Sequence, residues 1–268
     1  MQKRWLILLI ASLVLATSGR VHADRDKPPG KEESSFGAVR GLDANEARKQ
    51  AEAWLKSVKP DGATQEAFKR IWDSDKPVVD RVTATLILGD PQAEQLLNLA
   101  RNANVAAPVE VPSVLTDKNR PLFYRANLAL AFGKALTGRK VYEEALQSFA
   151  SARPEDVADP ASYFFHKAVC EHALMLKEKA DRSIDRLLID VQDSPERYRM
   201  VASLMHFDML TWQEKDLGWI ARKMNNIQRR LDLQRGRKET QKQQKEVLVR
   251  LDEMIKELEN QQKSPGGS

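Results

Sequence analysis

The chain has very little cysteine and few aromatic residues. Only one of its 268 residues is a cysteine, Cys170, so no disulfide can form within the chain, and packing must stabilise the fold. Aromatic residues make up 6% of the chain, whereas the residues with high helix propensity are plentiful. This composition predicts an all-α protein.

The sequence also lacks the signatures of several enzyme classes. It contains no G-x-S-x-G, no G-x-x-x-x-G-K-[ST] and no G-x-G-x-x-G. These patterns mark serine hydrolases, phosphate-binding loops and dinucleotide-binding folds. Their absence counts against those enzymes, and we expect a non-catalytic protein.

Long apolar runs are missing outside the N-terminus. There, the basic residues Lys3 and Arg4 precede an apolar run, Leu6–Ala16, and small residues lead to Val21-His22-Ala23. This order is typical of a secretory signal peptide cleaved after Ala23. The run is shorter than the roughly 20 residues that span a bilayer, which favours cleavage over retention as an anchor. The sequence therefore predicts an exported protein, periplasmic or associated with the cell envelope, with no transmembrane span after cleavage.

Neither sign of charge is in large excess. Three of the 43 basic residues and none of the 38 acidic residues lie in residues 1–23, which leaves 43 − 3 = 40 basic against 38 acidic residues after cleavage. Such a balance requires no polyanionic partner. Export, and the lack of aromatic residues interleaved with the basic ones, count against nucleic-acid binding.

Turn and capping residues divide the chain into six segments. From Leu42 onward, capping residues such as Asp43 and turns such as Pro60-Asp61-Gly62 predict successive helices. The only segment with extended character is 104–118. The predicted segments are a signal peptide (1–23), a flexible linker (24–40), an N-terminal helical region (41–117), tetratricopeptide-like helical hairpins (118–212), coiled-coil-like helices (213–260) and a disordered tail (261–268).

The middle of the chain follows the spacing of a tetratricopeptide repeat. Two helices are predicted around a turn at Thr137–Lys140. With Ala126 as position one, the small and large residues fall at positions 8, 11, 20, 24 and 27 of the repeat, occupied by Gly133, Leu136, Ala145, Phe149 and Ala152. Ala129 departs from the large residue usual at position four. The sequence thus predicts stacked antiparallel helical hairpins, with a generic helical bundle as the alternative.

A second and weaker copy of this pattern follows. Aligning Ser183 with Ala145 gives a spacing of 38 residues, instead of the usual 34. After it, an apolar helix predicted from Pro195 to Trp212 closes the stack.

The C-terminal quarter has apolar residues at alternating spacings of four and three. A polar stretch containing Gly236 interrupts the pattern, so either the chain turns there into a helical hairpin, which we favour, or one long helix has two apolar ends. In both cases the apolar residues are predicted to bind a protein partner or a second copy of the chain. These candidate partner-binding residues are Ile220, Met224, Ile227, Leu231, Val247, Leu251, Met254 and Leu258.

The same quarter contains a basic stretch. Between Arg222 and Arg250 there are ten basic residues and three acidic ones. They indicate contact with an anionic envelope surface, and the alternative is a solvated helix face. The candidate contact residues are Arg229, Arg230, Arg235, Arg237 and Lys238.

A few side chains could support catalysis or metal binding. His166 and Cys170 are four residues apart on one predicted helix, but a zinc site needs three or four ligands. His206 and Asp208 are two apart and do not face each other, so each is expected to bond across a helix interface or reach solvent. We predict no catalytic residue, no metal and no cofactor. The rival hypothesis is an envelope enzyme that uses His166, Cys170 or His206.

Several segments between Pro121 and Asn260 carry a family resemblance. They are Arg125-Ala126-Asn127-Leu128-Ala129-Leu130-Ala131, Phe165-His166-Lys167-Ala168-Val169, Lys215-Asp216-Leu217-Gly218-Trp219-Ile220-Ala221-Arg222-Lys223-Met224 and Arg229-Arg230-Leu231-Asp232-Leu233. With them, roughly half of the chain resembles a group of exported proteins of planctomycete-type bacteria that has no assigned activity. The resemblance implies no catalytic residue. We therefore expect a non-catalytic scaffold or protein-interaction module of the bacterial cell envelope, with an envelope enzyme or a self-assembling structural protein as alternatives.

Overall fold

The computed structural model describes residues 37–263, and within this range the protein is all-helical. Its eleven α-helices confirm the prediction of an all-α protein, and the same range contains no β-strand. The predicted signal peptide lies outside the described residues. So do residues 24–36 of the predicted linker and 264–268 of the predicted tail.

Four helices form the N-terminal region: α1 (Ala44–Val58), α2 (Gly62–Trp72), α3 (Val78–Gly89) and α4 (Pro91–Arg101). Asp43, Asp61 and Asp90 begin α1, α2 and α4, because each carboxylate accepts hydrogen bonds from backbone N–H groups of the first turn. The stretch 104–118, predicted to be a loop or short extended segment, is a loop that contains one 3-10 turn, Ser113–Leu115.

Five helices form the middle of the chain: α5 (Leu122–Gly138), α6 (Tyr142–Ala150), α7 (Pro160–Ala173), α8 (Lys177–Asp185) and α9 (Glu196–Leu210). A π-helical turn, Arg186–Asp190, follows α8. Neighbouring helices pack pairwise, α5 against α6 and α7 against α8, while α7 also contacts α5, α6 and α9. Gly133 lets α5 and α6 approach closely, since a Cβ atom there would lie 2.6 Å from the ring of Phe149.

The turns inside the two helix pairs have the same backbone geometry. Lys140 and Met175 both have a φ of 60°, the left-handed conformation that commonly ends a helix. The next residue in each turn donates a backbone hydrogen bond to the carbonyl five residues earlier, Val141 to Leu136 and Leu176 to Glu171. A nine-residue helix follows each turn.

This geometry corrects the repeat length that we read from the sequence. The two turns are 35 residues apart, so the counterpart of Ala145 is Ala180, and both side chains are fully buried. Ser183 instead corresponds to Ser148. Its alignment with Ala145 was wrong by three residues because both helices carry a small residue at each of these positions.

The last residues of the predicted linker are packed against the body. The N–H of Val39 donates to the carbonyl of Asp190 (3.0 Å), and the N–H of Leu42 donates to the carbonyl of Ala158 (3.1 Å). The side chain of Val39 is 5% exposed. Residues 37–40 are therefore part of the fold, because burial of the one valine and the paired backbone hold them in place.

The C-terminal quarter forms two helices, α10 (Leu217–Asp232) and α11 (Lys238–Lys263), which pack against each other. Two side-chain hydrogen bonds join them: Arg230 donates to Thr240 (2.9 Å) and Lys223 donates to Glu246 (3.0 Å). The residue that is later in α10 thus contacts the residue that is earlier in α11. The two helices therefore run in opposite directions, and the chain turns near Gly236. Helix α11 continues three residues beyond the predicted boundary at residue 260.

Candidate interaction site

Three arginines of the basic stretch attach α10 to the body of the protein. Arg229 is 8% exposed and donates two hydrogen bonds to the Glu143 carboxylate, of 2.9 and 2.8 Å. Arg230 also donates to Glu143. Arg235 donates to Glu144 (2.9 Å), whose side chain is buried. Both glutamates lie in the first turn of α6.

The ion pairs also set the protonation of Glu143. Burial opposes ionisation of this carboxyl group, but the hydrogen bonds and positive charge of Arg229, together with the charge of Arg230, outweigh it and lower the pKa to about 2. Arg229, Arg230 and Arg235 thus form ion pairs with two glutamates of the same chain. Their pairing and burial count against the predicted contact of these three with an anionic surface, and of the five candidate residues Arg237 and Lys238 are the exposed ones.

The eight predicted partner-binding residues divide into two groups. Five of them lie between α10 and α11: three are buried, and two pack partly buried against those three (Ile220, Ile227 and Val247; Leu251 and Met254). These five are occupied within the chain, because the hairpin closes on its own apolar seam. The other three, Met224, Leu231 and Leu258, are 54%, 47% and 57% exposed.

Four further apolar residues are exposed on the same two helices, and our sequence interpretation missed them: Leu217, Leu248, Val249 and Ile255. Leu217 lies seven residues before Met224, which lies seven before Leu231, and Leu248 lies seven before Ile255. Residues seven apart share one side of a helix. This seven-residue spacing could have predicted the exposed apolar residues other than Val249 from the sequence. We missed it because the residues that pack between α10 and α11 show a stronger pattern on the adjacent side of each helix.

Helix α9 also exposes an apolar side. Tyr198, Ala202 and Met209 are buried, and α9 packs on α7 and α8. The opposite side carries Met200, Val201, Leu204, Phe207 and Leu210, all of them largely exposed. A contiguous apolar patch on a helix is typical of a surface that contacts another molecule.

A cleft of about 490 Å³ separates α10 from the ends of α7 and α9. In it, His172 Nε2 lies 2.9 Å from Asp208 Oδ2, and the indole N–H of Trp212 donates to the same oxygen at 2.9 Å. The guanidinium group of Arg222 stacks on Trp212, 4.6 Å from the ring centre. No serine, threonine or cysteine is among the described residues that line the cleft, and the one hydroxyl group in that lining is the phenol of Tyr142, whose pKa is raised chiefly by burial.

The side chains of the rival enzyme hypothesis have separate surroundings. Cys170 is buried with its Sγ 3.2 Å from Thr137 Oγ1, and burial raises the pKa of the thiol to about 12. Burial lowers the pKa of His166 to about 4, with a contribution from the charge of Lys134. His206 contacts Asp181 at 3.1 Å across the α8–α9 interface. The described structure does not bring the three together, and among residues 37–263 no group of three or more His, Cys, Asp or Glu residues is placed to hold a metal ion.

Comparison with known proteins returns no relative, since no family model, curated protein or solved structure matches the chain. Within residues 37–263, no helix is both long and apolar enough to cross a membrane.

Proposed function

We propose that the protein is an exported, non-catalytic interaction module of a bacterial cell envelope. Its helix pairs α5–α6 and α7–α8 act as tetratricopeptide-like repeats, and α10 with α11 act as a coiled-coil-like tail. The observation that carries this proposal is the uncovered apolar side of α9, with Leu204 and Phe207 at its centre, 61% and 62% exposed.

The position of α9 in the fold indicates what covers it. The two preceding units are pairs, in which the second helix packs on the first. Helix α9 follows them as a first helix, but the next helix, α10, packs mainly on α11. The place of the missing second helix is open. An amphipathic helix of another protein, with its apolar side on Leu204 and Phe207, completes the third pair.

The partner is tested by photocrosslinking in cells. A photoreactive amino acid at position 207 is compared with one at Lys179, an exposed residue of α8. We expect a distinct envelope protein to be crosslinked from position 207 and not from 179. The same protein should be lost when Leu204→Glu is added. Equal crosslinking from both positions would contradict an interaction site on α9, and recovery of this chain alone would favour the self-assembling alternative.

Export is tested on the same material. The protein recovered from the envelope fraction should begin at Asp24 by mass spectrometry, because cleavage is proposed after Ala23. Recovery in the cytoplasm with residues 1–23 retained would contradict the envelope location.

A further inference from the structure

The outer side of α11 carries a continuous seam with the three-four spacing of a coiled coil. Three of its four large apolar members face solvent, with Leu248 63%, Ile255 53% and Leu258 57% exposed, and the fourth, Leu251, lies partly buried at the edge shared with the α10–α11 seam. Glutamines occupy both ends of the seam. The complete set is Gln241, Gln244, Leu248, Leu251, Ile255, Leu258 and Gln262.

The exposed residues of α10 lie on the same face of the hairpin as this seam. Around the axis of α10, the side chain of Met224 lies further round than those of the buried Ile220 and Ile227, in the direction in which the helix winds from its N- to its C-terminus. In α11, Leu248 is displaced in the same sense from the buried Val247. When two packed helices run in opposite directions, side chains that are offset from the shared seam in the same winding direction lie on the same face of the helix pair. That face therefore combines Met224 and Leu231 of α10 with the seam of α11.

The charged residues beside the seam identify the partner. Four residues at exact heptad spacing flank it: Lys238, Lys245, Asp252 and Glu259. The first half of this flank is basic and the second half is acidic. All four side chains are exposed. A second helix with the same order of charges, laid in the opposite direction, matches every charge with its opposite.

We propose that α11 pairs with α11 of a second copy of this chain, in antiparallel orientation about a two-fold axis near Leu248 and Val249. This proposal rests on the interaction-module function above and specifies the partner of the tail. Lys238 then faces the partner's Glu259, and Lys245 faces the partner's Asp252. Two-fold symmetry repeats both pairs, so four ion pairs flank the apolar seam.

The same register explains the polar half of the seam. Opposite Gln241 and Gln244 lie the partner's Leu258 and the partner's Ile255, which extend beyond the start of α10 in their own copy. At this height α10 presents Met224 and Leu231, since Lys223 is level with Glu246. The apolar end of the partner helix is therefore buried against α10 and not against glutamine alone.

A parallel pairing of two α11 helices does not fit these residues. In a parallel coiled coil, one flank of the seam lies beside the opposite flank of the partner helix, and on α11 that opposite flank carries the uncharged Thr240, Val247 and Met254. The four charged side chains would therefore find no opposite charge. The charge order thus selects orientation as well as partner.

Charge reversal tests both. Protein produced from the full-length chain is examined by sedimentation equilibrium at low salt. The wild type should dimerise, and Lys238→Glu with Lys245→Glu should raise the dissociation constant at least about tenfold, because four attractive pairs become repulsive. Adding Asp252→Lys and Glu259→Lys to that variant should restore dimerisation to within about threefold of wild type. A parallel dimer would not respond in this way, because the four substituted residues would then lie beside uncharged side chains of the partner in all three proteins.

Two controls complete the test. Lys49→Glu with Lys69→Glu makes the same change in net charge at exposed positions of α1 and α2, and should leave the dissociation constant unchanged. Ile255→Glu with Leu258→Glu removes exposed apolar contacts and should abolish the dimer while circular dichroism stays that of the wild type.

A wild type that is monomeric at about 100 μM, far above the range of stable dimers, would overturn the proposal. So would unchanged association of Lys238→Glu with Lys245→Glu. Neither result bears on crosslinking from position 207, which tests the proposed function separately. Conversely, a dimer without any partner at position 207 would support the pairing of α11 and contradict the site on α9.

Discussion

Arg229 donates hydrogen bonds of 2.9 and 2.8 Å to the two carboxylate oxygens of Glu143, and this pair joins the C-terminal helices to the repeat-like body. The two residues are 86 positions apart in the chain. Arg229 Nη1 also donates to the carbonyl of Lys140, and the guanidinium group lies over the ring of Tyr142. One side chain thus contacts the turn and the first helical turn of α6 at the same time.

We expect Arg229→Ala to lower the free energy of unfolding by about 3 kcal/mol. The substitution leaves the Glu143 carboxylate partly buried with one arginine fewer to compensate it. Urea denaturation measures the change. Arg237→Ala is the matched control, since it removes an exposed arginine from the same basic stretch, and should alter stability by less than about 0.5 kcal/mol. Equal effects of the two substitutions would contradict the docking role of Arg229.

The same pair predicts a loss of stability in acid. The pKa of Glu143 is about 2 in the folded protein and near its ordinary value of 4.5 in the unfolded chain. Because folding lowers this pKa, the stabilisation of the fold by ionised Glu143 is complete above pH 4.5 and is lost as the pH falls toward 2. The total loss in the free energy of unfolding is up to about 3 kcal/mol. Unfolding free energies measured from pH 7 to 2 check this window. Glu143→Gln should be less stable at pH 7, and it should lose less than the wild type in acid.

His166 predicts a second pH window at higher pH. Its pKa is lowered from 6.5 to about 4, chiefly by burial, so the folded protein favours the neutral ring. The unfolded chain takes up a proton first as the pH falls, and about 2 kcal/mol of stability should be lost between pH 8 and pH 5. In His166→Leu this part of the loss should vanish. An identical pH profile for both proteins would show that His166 does not titrate as the structure indicates.

The close approach of α5 and α6 predicts opposite effects of one substitution at two glycines. In Gly133→Ala the new Cβ meets the ring of Phe149 at 2.6 Å. This overpacking should cost more than the gain in helix propensity, a net loss of about 1–2 kcal/mol. In Gly138→Ala, at the end of the same helix, no atom lies within 4 Å of the new Cβ. Thermal unfolding should show the Gly138 variant to be as stable as the wild type or slightly more so.

The surroundings of Cys170 predict a thiol that does not react in the native protein. The side chain is fully buried, and burial raises its pKa to about 12, so the nucleophilic thiolate is scarce. Modification by a disulfide reagent should be at least about a hundredfold slower than that of a cysteine placed at exposed Lys179, and limited by unfolding. Rapid labelling of Cys170 would revive the hypothesis of an enzyme with a thiol nucleophile.

Local interactions made much of the fold predictable. Asp43 and the turn Pro60-Asp61-Gly62 mark helix boundaries, because a capping carboxylate or a proline acts on backbone groups a few residues away. The small residue Gly133 and the large Phe149 lie in contact as the repeat spacing predicts. The repeat length was wrong because Ala180 and Ser183 are both small, and only the backbone turn at Met175 distinguishes them.

The candidate sites were predictable only in part. The spacing of Ile220 and Val247 indicates an apolar seam, but periodicity does not show whether the seam closes within the chain or on another molecule. His172 and Asp208 are 36 residues apart in the sequence and lie on different helices, so no local sequence pattern predicts that they pair.

The sequence by itself determined the helical character of the chain, the helix starts at Asp43 and Asp61 and the charge order Lys238, Lys245, Asp252 and Glu259 along α11, since all of these depend on residues within a few turns of one another. Tertiary structure decided which charges and apolar sides are left for a partner. Arg229 and Arg230 are bound by Glu143 because the last turn of α10 lies beside the first turn of α6, whereas Phe207 stays uncovered because α10 packs mainly on α11. These outcomes depend on how helices that are distant in the sequence pack together, and the local spacing of residues does not determine the energy of those contacts.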